Sequence, residues 1–127
     1  MKKVFPILIM FLLSSCSTCK VAMHSPIHEI QFGSGGGFAG EITTYNLKAD
    51  GSLWRQEQRI KKLSCDSLSA IYELVEQLPK EEYIHPGNAY SFIKLVYHDT
   101  TYYYTWTWAN KPDQKIIELY TKLNSQL

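Results

Sequence analysis

Three groupings of residues in this 127-residue chain have the types and spacing to do chemistry. Cys16-Ser17-Thr18-Cys19 sets two thiols at the C-x-x-C spacing of a redox couple or of half a zinc site. Gly35-Gly36-Gly37-Phe38-Ala39-Gly40 fits G-x-G-x-x-G, in which small residues let the backbone close on a phosphate. His98-Asp99 joins a base to a carboxylate that could orient it for proton transfer. The last two do not survive their context. A dinucleotide site needs its glycines to open a helix whose terminus meets the pyrophosphate, whereas Glu41-Ile42-Thr43-Thr44-Tyr45 reads as a strand. The Gly-Lys-Ser/Thr of a phosphate loop is missing, as are the catalytic loop and metal-binding aspartate motif of a kinase. His98-Asp99 falls at a turn, where such a pair is solvated. His24, His28, His85 and His98 spread over separate segments and offer no helix-borne metal pair. Cys65 lacks a recognisable base partner, and no G-x-S-x-G occurs. The expectation is a protein that is not an enzyme, with no catalytic residue, metal, nucleotide or other cofactor.

The segment ahead of Cys16 decides what that thiol becomes. Lys2 and Lys3 precede an apolar run, Val4 to Leu13, interrupted by Pro6 and followed by Ser14 and Ser15. Residues 1–15 therefore read as a secretory signal. As a helix the run would cover about 15 Å, half of a hydrocarbon core of roughly 30 Å, too little for a permanent span. Leu13-Ser14-Ser15-Cys16 resembles the bacterial lipobox. The resemblance implies that the Cys16 thiol is diacylated, that cleavage precedes it, and that the new N-terminus takes a further acyl chain such as palmitate. Two or three acyl chains, at about 0.8 kcal/mol per buried methylene, hold a protein on a membrane where one does so marginally. Ser17 after that cysteine, in place of aspartate, resembles cargo sorted to the outer membrane in enteric bacteria. The expected location is the bacterial cell envelope, lipid-anchored at the outer membrane.

Charge agrees with an anchor made of lipid. Removing Met1 to Ser15 takes Lys2 and Lys3 from the 13 basic residues and leaves all 12 acidic ones, a net charge of −1. No basic patch draws the chain to acidic headgroups, and no nucleic-acid partner is expected. With Cys16 a thioether, the C-x-x-C motif has lost one thiol. Two fates then stay open for Cys65. It pairs with Cys19, closing a loop of about fifty residues and stabilising the fold by about 4 kcal/mol, or it is a small buried hydrophobe at a helix start.

Residues 16–26 read as a lipidated tether and 27–127 as a single domain. His28 to Phe32 alternates as a first strand, stopped by Gly33-Ser34-Gly35-Gly36-Gly37. Glu41 to Lys48 and Leu53 to Ile60 form a hairpin around Asp50-Gly51, with a polar, wet middle from Arg55 to Arg59. From Asp66, Leu68, Ile71, Tyr72, Val75 and Leu78 share a helix face, capped by Ser64 or Asp66 and ended by Pro79. Lys80 to Tyr90 reads as a loop, Phe92–His98 and Tyr102–Trp108 as a second strand pair. A last helix after Pro112 carries Ile116, Ile117, Tyr120, Leu123 and Leu127 on one face. The order βββαββα implies an α+β domain, an antiparallel sheet of about five strands with two helices on one face.

Two features remain for function. Tyr102, Tyr104, Trp106 and Trp108 alternate onto one face, either as core under the helices or as an exposed platform. The glycine run is either a wide connection or a recognition loop flanked by Phe32 and Phe38. Gly36-Gly37-Phe38-Ala39-Gly40 after the first strand, together with the two apolar helices, resembles emfourin, a small inhibitor of thermolysin-type metallopeptidases. That resemblance implies a compact α+β fold, with Gly36, Gly37, Phe38 and Gly40 as the matching, partner-binding segment. The functional expectation is a lipid-anchored binding module for a protein partner, a metallopeptidase in the sharper form. The alternative is an accessory lipoprotein of an envelope assembly.

Overall fold

Apolar and polar residues alternate from Glu29 to Phe32 within the strand Ile27–Gly36 (β1), which forms the middle of the sheet. The structure, a computed structural model, describes residues 25–37, 40–85 and 87–127. The signal segment, Cys16, Cys19 and Phe38 lie outside the described residues. β1 is flanked by Ile42–Lys48 (β2) and Ala89–Tyr97 (β6), and the sheet extends outward to seven strands. Beyond β2 come Ser52–Arg55 (β3) and Gln58–Lys62 (β4); beyond β6 come Thr101–Trp106 (β7) and Tyr83–Ile84 (β5). All neighbours are antiparallel except β5 and β7, which run parallel, so the sheet is mixed.

The fold is the expected α+β, but the sheet has seven strands where about five were expected and is mixed where an antiparallel one was expected, because β5 runs parallel to β7. Leu53 to Ile60 is not one strand, because Gln56 adopts a positive φ of 55° and turns the chain between β3 and β4. The Lys80 to Tyr90 loop contains β5, two residues long, paired to the edge of β7. The first strand does not stop at Gly33. It continues to Gly36, in register with Thr44 and Phe92 at Gly33 and with Ala89 at Gly36. The glycines serve close packing within the sheet: a Cβ on Gly33 would fall 1.9 Å from the Thr43 carbonyl oxygen.

One face of the sheet is covered by two helices. Cys65–Glu76 (α1) starts at Ser64, whose hydroxyl accepts the Ser67 N–H at 3.2 Å, and buries Leu68, Ile71, Tyr72 and Val75. Gln114–Asn124 (α2) starts at Asp113, whose carboxylate accepts the Lys115 N–H at 2.8 Å, and buries Ile116, Leu119 and Leu123. They meet Ile30 and Phe32 of β1, Leu47 of β2, Leu53 of β3, Ile93 and Leu95 of β6, and Tyr104 and Trp106 of β7. Each such side chain contributes about 1.5–3 kcal/mol by leaving water. The other face is uncovered; Phe92 lies between Tyr90 and Tyr103 there, with both ring centroids 6.2 Å away. Cys65 is not a buried hydrophobe. It is exposed at the first turn of α1 and disulfide-bonded.

Candidate functional site

β1 and β6 pair to their ends, which places the glycine segment beside the start of β6 and past the end of β7. A cleft of about 570 Å³ opens at this end, walled by Gly35, Gly36, Tyr90 and Trp106 and rimmed by Glu41, Trp108 and Lys111. Its floor depends on missing side chains. Tyr90 lies so close over Gly35 that a Cβ there would stand 2.7 Å from the phenol oxygen. Gly36 has φ of 86°, and a Cβ on it would meet the Asn88 carbonyl oxygen at 1.7 Å. That same carbonyl accepts the Gly37 N–H. Gly36 therefore holds the rim together.

Gly37 and Gly40 are different. Both hold positive φ, 83° and 61°, yet among the described residues, chain neighbours aside, no atom lies within 4 Å of where their side chains would be. The Gly40 N–H donates to the Gly37 carbonyl at 3.2 Å, closing a four-residue turn; the intervening Phe38 and Ala39 lie outside the described residues. Trp108, which rims the same cleft as Gly36 and Glu41, is 87% exposed. Of the four aromatic residues expected on one face, Tyr104 and Trp106 are core and Tyr102 is half-buried, while Trp108 lies beyond the strand end. An exposed indole, a carboxylate, an ammonium and the two positive-φ glycines thus share one end of the domain. They can stack, pair charges and offer backbone to a partner. Of the expected binding residues, Gly36 lines this cleft, Gly37 and Gly40 follow it in the chain joined by their hydrogen bond, and Phe38 lies outside the described residues. Tyr90, Glu41 and Lys111 are additions that only the β1–β6 pairing and the chain beyond β7 bring into place.

A second hollow, about 490 Å³, lies at the opposite end of β1, between Ile27, the last turn of α1 and Tyr97, Tyr102 and Tyr104. Tyr104 donates its hydroxyl to the Pro79 carbonyl at 2.8 Å. Burial, reinforced by the neighbouring phenols Tyr97 and Tyr102, pushes its pKa up to about 12. Burial likewise raises Tyr97 and Tyr72. Protonated phenols on apolar walls provide hydrogen bonds and surface, without a nucleophile or base. At the Asp50 turn the carboxyl is held below its ordinary value, chiefly by the Ser52 hydroxyl and then the Ser52 N–H, which donates at 2.9 Å. The Ser52 oxygen in turn accepts the Trp54 indole N–H at 2.9 Å, so this network serves the hairpin.

His98 and Asp99 are both exposed; the His98 ring lies 5.6 Å from His28. Among the described residues no group of three or more His, Cys, Asp or Glu could hold a metal, and no helix is long and apolar enough to cross a membrane. Neither a scan against protein-family models nor searches of curated proteins and of solved structures find a match for the chain.

Proposed function

We propose that this chain is a lipid-anchored binding module of the bacterial envelope, held at the outer membrane through Cys16, and that its glycine end receives a protein partner. The observation that carries the reading is the contrast among the glycines. Gly36 is needed by the fold, whereas Gly37 and Gly40 keep positive φ where no described residue beyond their chain neighbours crowds them, next in the chain to a cleft rimmed by an exposed Trp108. Loop glycines of that kind leave the backbone approachable, and ordering them against a partner is an entropic cost the fold does not need to meet. The role is contact and not turnover.

The sharper form of the proposal is inhibition of a thermolysin-type metallopeptidase, which the Gly36-Gly37-Phe38-Ala39-Gly40 segment supports through its likeness to emfourin. Co-incubation of the domain at micromolar excess with such a peptidase tests it. Loss of activity that is relieved by Gly37→Val and Phe38→Ala supports inhibition. Undiminished peptidase activity removes it and leaves the general binding role.

A second reading, an accessory subunit of an envelope assembly, is favoured by the uncovered sheet face, where Tyr103 flanks Phe92 and Ile84 is 53% exposed. Crosslinking in intact envelopes separates the two. A stable adduct through Tyr103 or Ile84 positions favours assembly, and one through the glycine turn favours the first reading.

A further inference from the structure

We infer that the bond on Cys65 closes on Cys19, and that this bridge stands the domain on the membrane with its glycine end directed outward. The inference rests on the proposed lipid at Cys16. Cys65 is disulfide-bonded within one chain, and the other cysteines of that chain are Cys16 and Cys19. A thioether sulfur has no proton to lose and cannot enter a disulfide, which leaves Cys19. The two thiols give up two protons and two electrons to a disulfide-carrying oxidoreductase of the envelope, which becomes a dithiol as the new S–S bond forms.

Reach agrees with this pairing. Ser25 lies beside the end of α1, lining the same hollow as Glu76. From Glu76 back to Cys65 the helix rises about 16 Å. Extended chain from Ser25 back to Cys19 covers about 20 Å. The tether therefore has the length to run back along α1 and little to spare.

The bridge decides which end faces the bilayer. Leu63 donates its N–H to the Gly51 carbonyl at 2.9 Å, which fixes the start of α1 at the β2–β3 turn. That turn lies at the Ile27 end of β1, since Glu29 pairs with Lys48. Gly36 lies at the other end of the strand, about 30 Å away. Without the bridge, the free span from Cys16 to Ser25 would be about 30 Å and would let either end roll against the membrane. With it, the lipid is held within about 16 Å of Cys65, at the end opposite the glycine turn.

Two measurements on the full lipidated chain decide the matter. First, the protein is extracted in detergent, its free thiols are alkylated without reduction, and tryptic peptides are mapped by mass spectrometry. The expected species is an acylated Cys16–Lys20 peptide joined to the Leu63–Lys80 peptide. Alkylated Cys19 and Cys65 beside an acylated Cys16 would overturn the bridge and leave the anchor intact. Linkage through an unacylated Cys16 would overturn both. Second, energy transfer from tryptophan to a dansyl headgroup lipid is measured in proteoliposomes. Trp54→Phe is expected to reduce transfer at least twofold more than Trp108→Phe, and Cys19→Ser to narrow the gap. Equal or reversed effects of the two tryptophan variants would overturn the orientation.

Discussion

Tyr120 of the last helix donates its hydroxyl to the carbonyl of Gly33 in the central strand at 3.1 Å, while the Trp106 ring meets its own ring edge-on at 5.0 Å. One side chain thus links α2, β1 and β7 just below the glycine end. Tyr120→Phe removes the hydroxyl and keeps the ring, so urea denaturation should show a loss of about 1 kcal/mol. Partner binding should be unchanged, because the ring contact that positions Trp106 remains.

Two adjacent glycines should respond differently to one added methyl. Gly36→Ala drives a Cβ into the Asn88 carbonyl as well as facing a positive φ, so the β1–β6 junction must move. A stability loss of about 3 kcal/mol or more is expected. Gly37→Ala meets no described residue beyond its chain neighbours and bears the left-handed backbone, about 1–2 kcal/mol. Thermal denaturation of the two variants side by side checks the ordering.

Acid should erase the contribution of Asp50. Its folded pKa lies below its ordinary value, so its stabilisation is present above about pH 4 and is lost as pH falls through the lowered folded value. The group is exposed, and solvent screening keeps the effect modest. Asp50→Asn is expected to lower Tm by a few degrees at pH 7, with the difference from the unsubstituted chain shrinking toward zero near pH 2.

Thr105 is buried on the uncovered face of the sheet, and its hydroxyl finds no hydrogen-bond partner among the described residues. Thr105→Val keeps the shape and removes the unpaired group. The expected result in urea denaturation is unchanged stability or a gain of up to about 1 kcal/mol.

The helices were legible because their signals are local. Ser64 before Leu68, Ile71, Tyr72 and Val75, with Pro79 beyond, marks a cap, an apolar face and a stop within one window. The strand ends were not, because they are set by partners far along the chain. Gly33 to Gly36 reads as a break in isolation and is held as strand by residues 42–44 on one side and 89–92 on the other. Gln56-Glu57 carries none of the usual turn residues, so the split between β3 and β4 is invisible until Gln56 is seen at positive φ. The same holds for the site. Alternation puts Trp108 on the face of Trp106, but β7 ends at Trp106 and releases the later ring to solvent. Tyr90 joins the glycines only through its register with Gly35. Cys65 was readable as a candidate for pairing, though not as exposed.

The account depends most on a lipid fixing this small body to a membrane, and one measurement tests that directly: the intact mass of the protein recovered from the membrane fraction of its own envelope. The account predicts a chain beginning at Cys16 and carrying two or three acyl groups. A chain recovered from the soluble fraction with an unmodified Cys16 would contradict it.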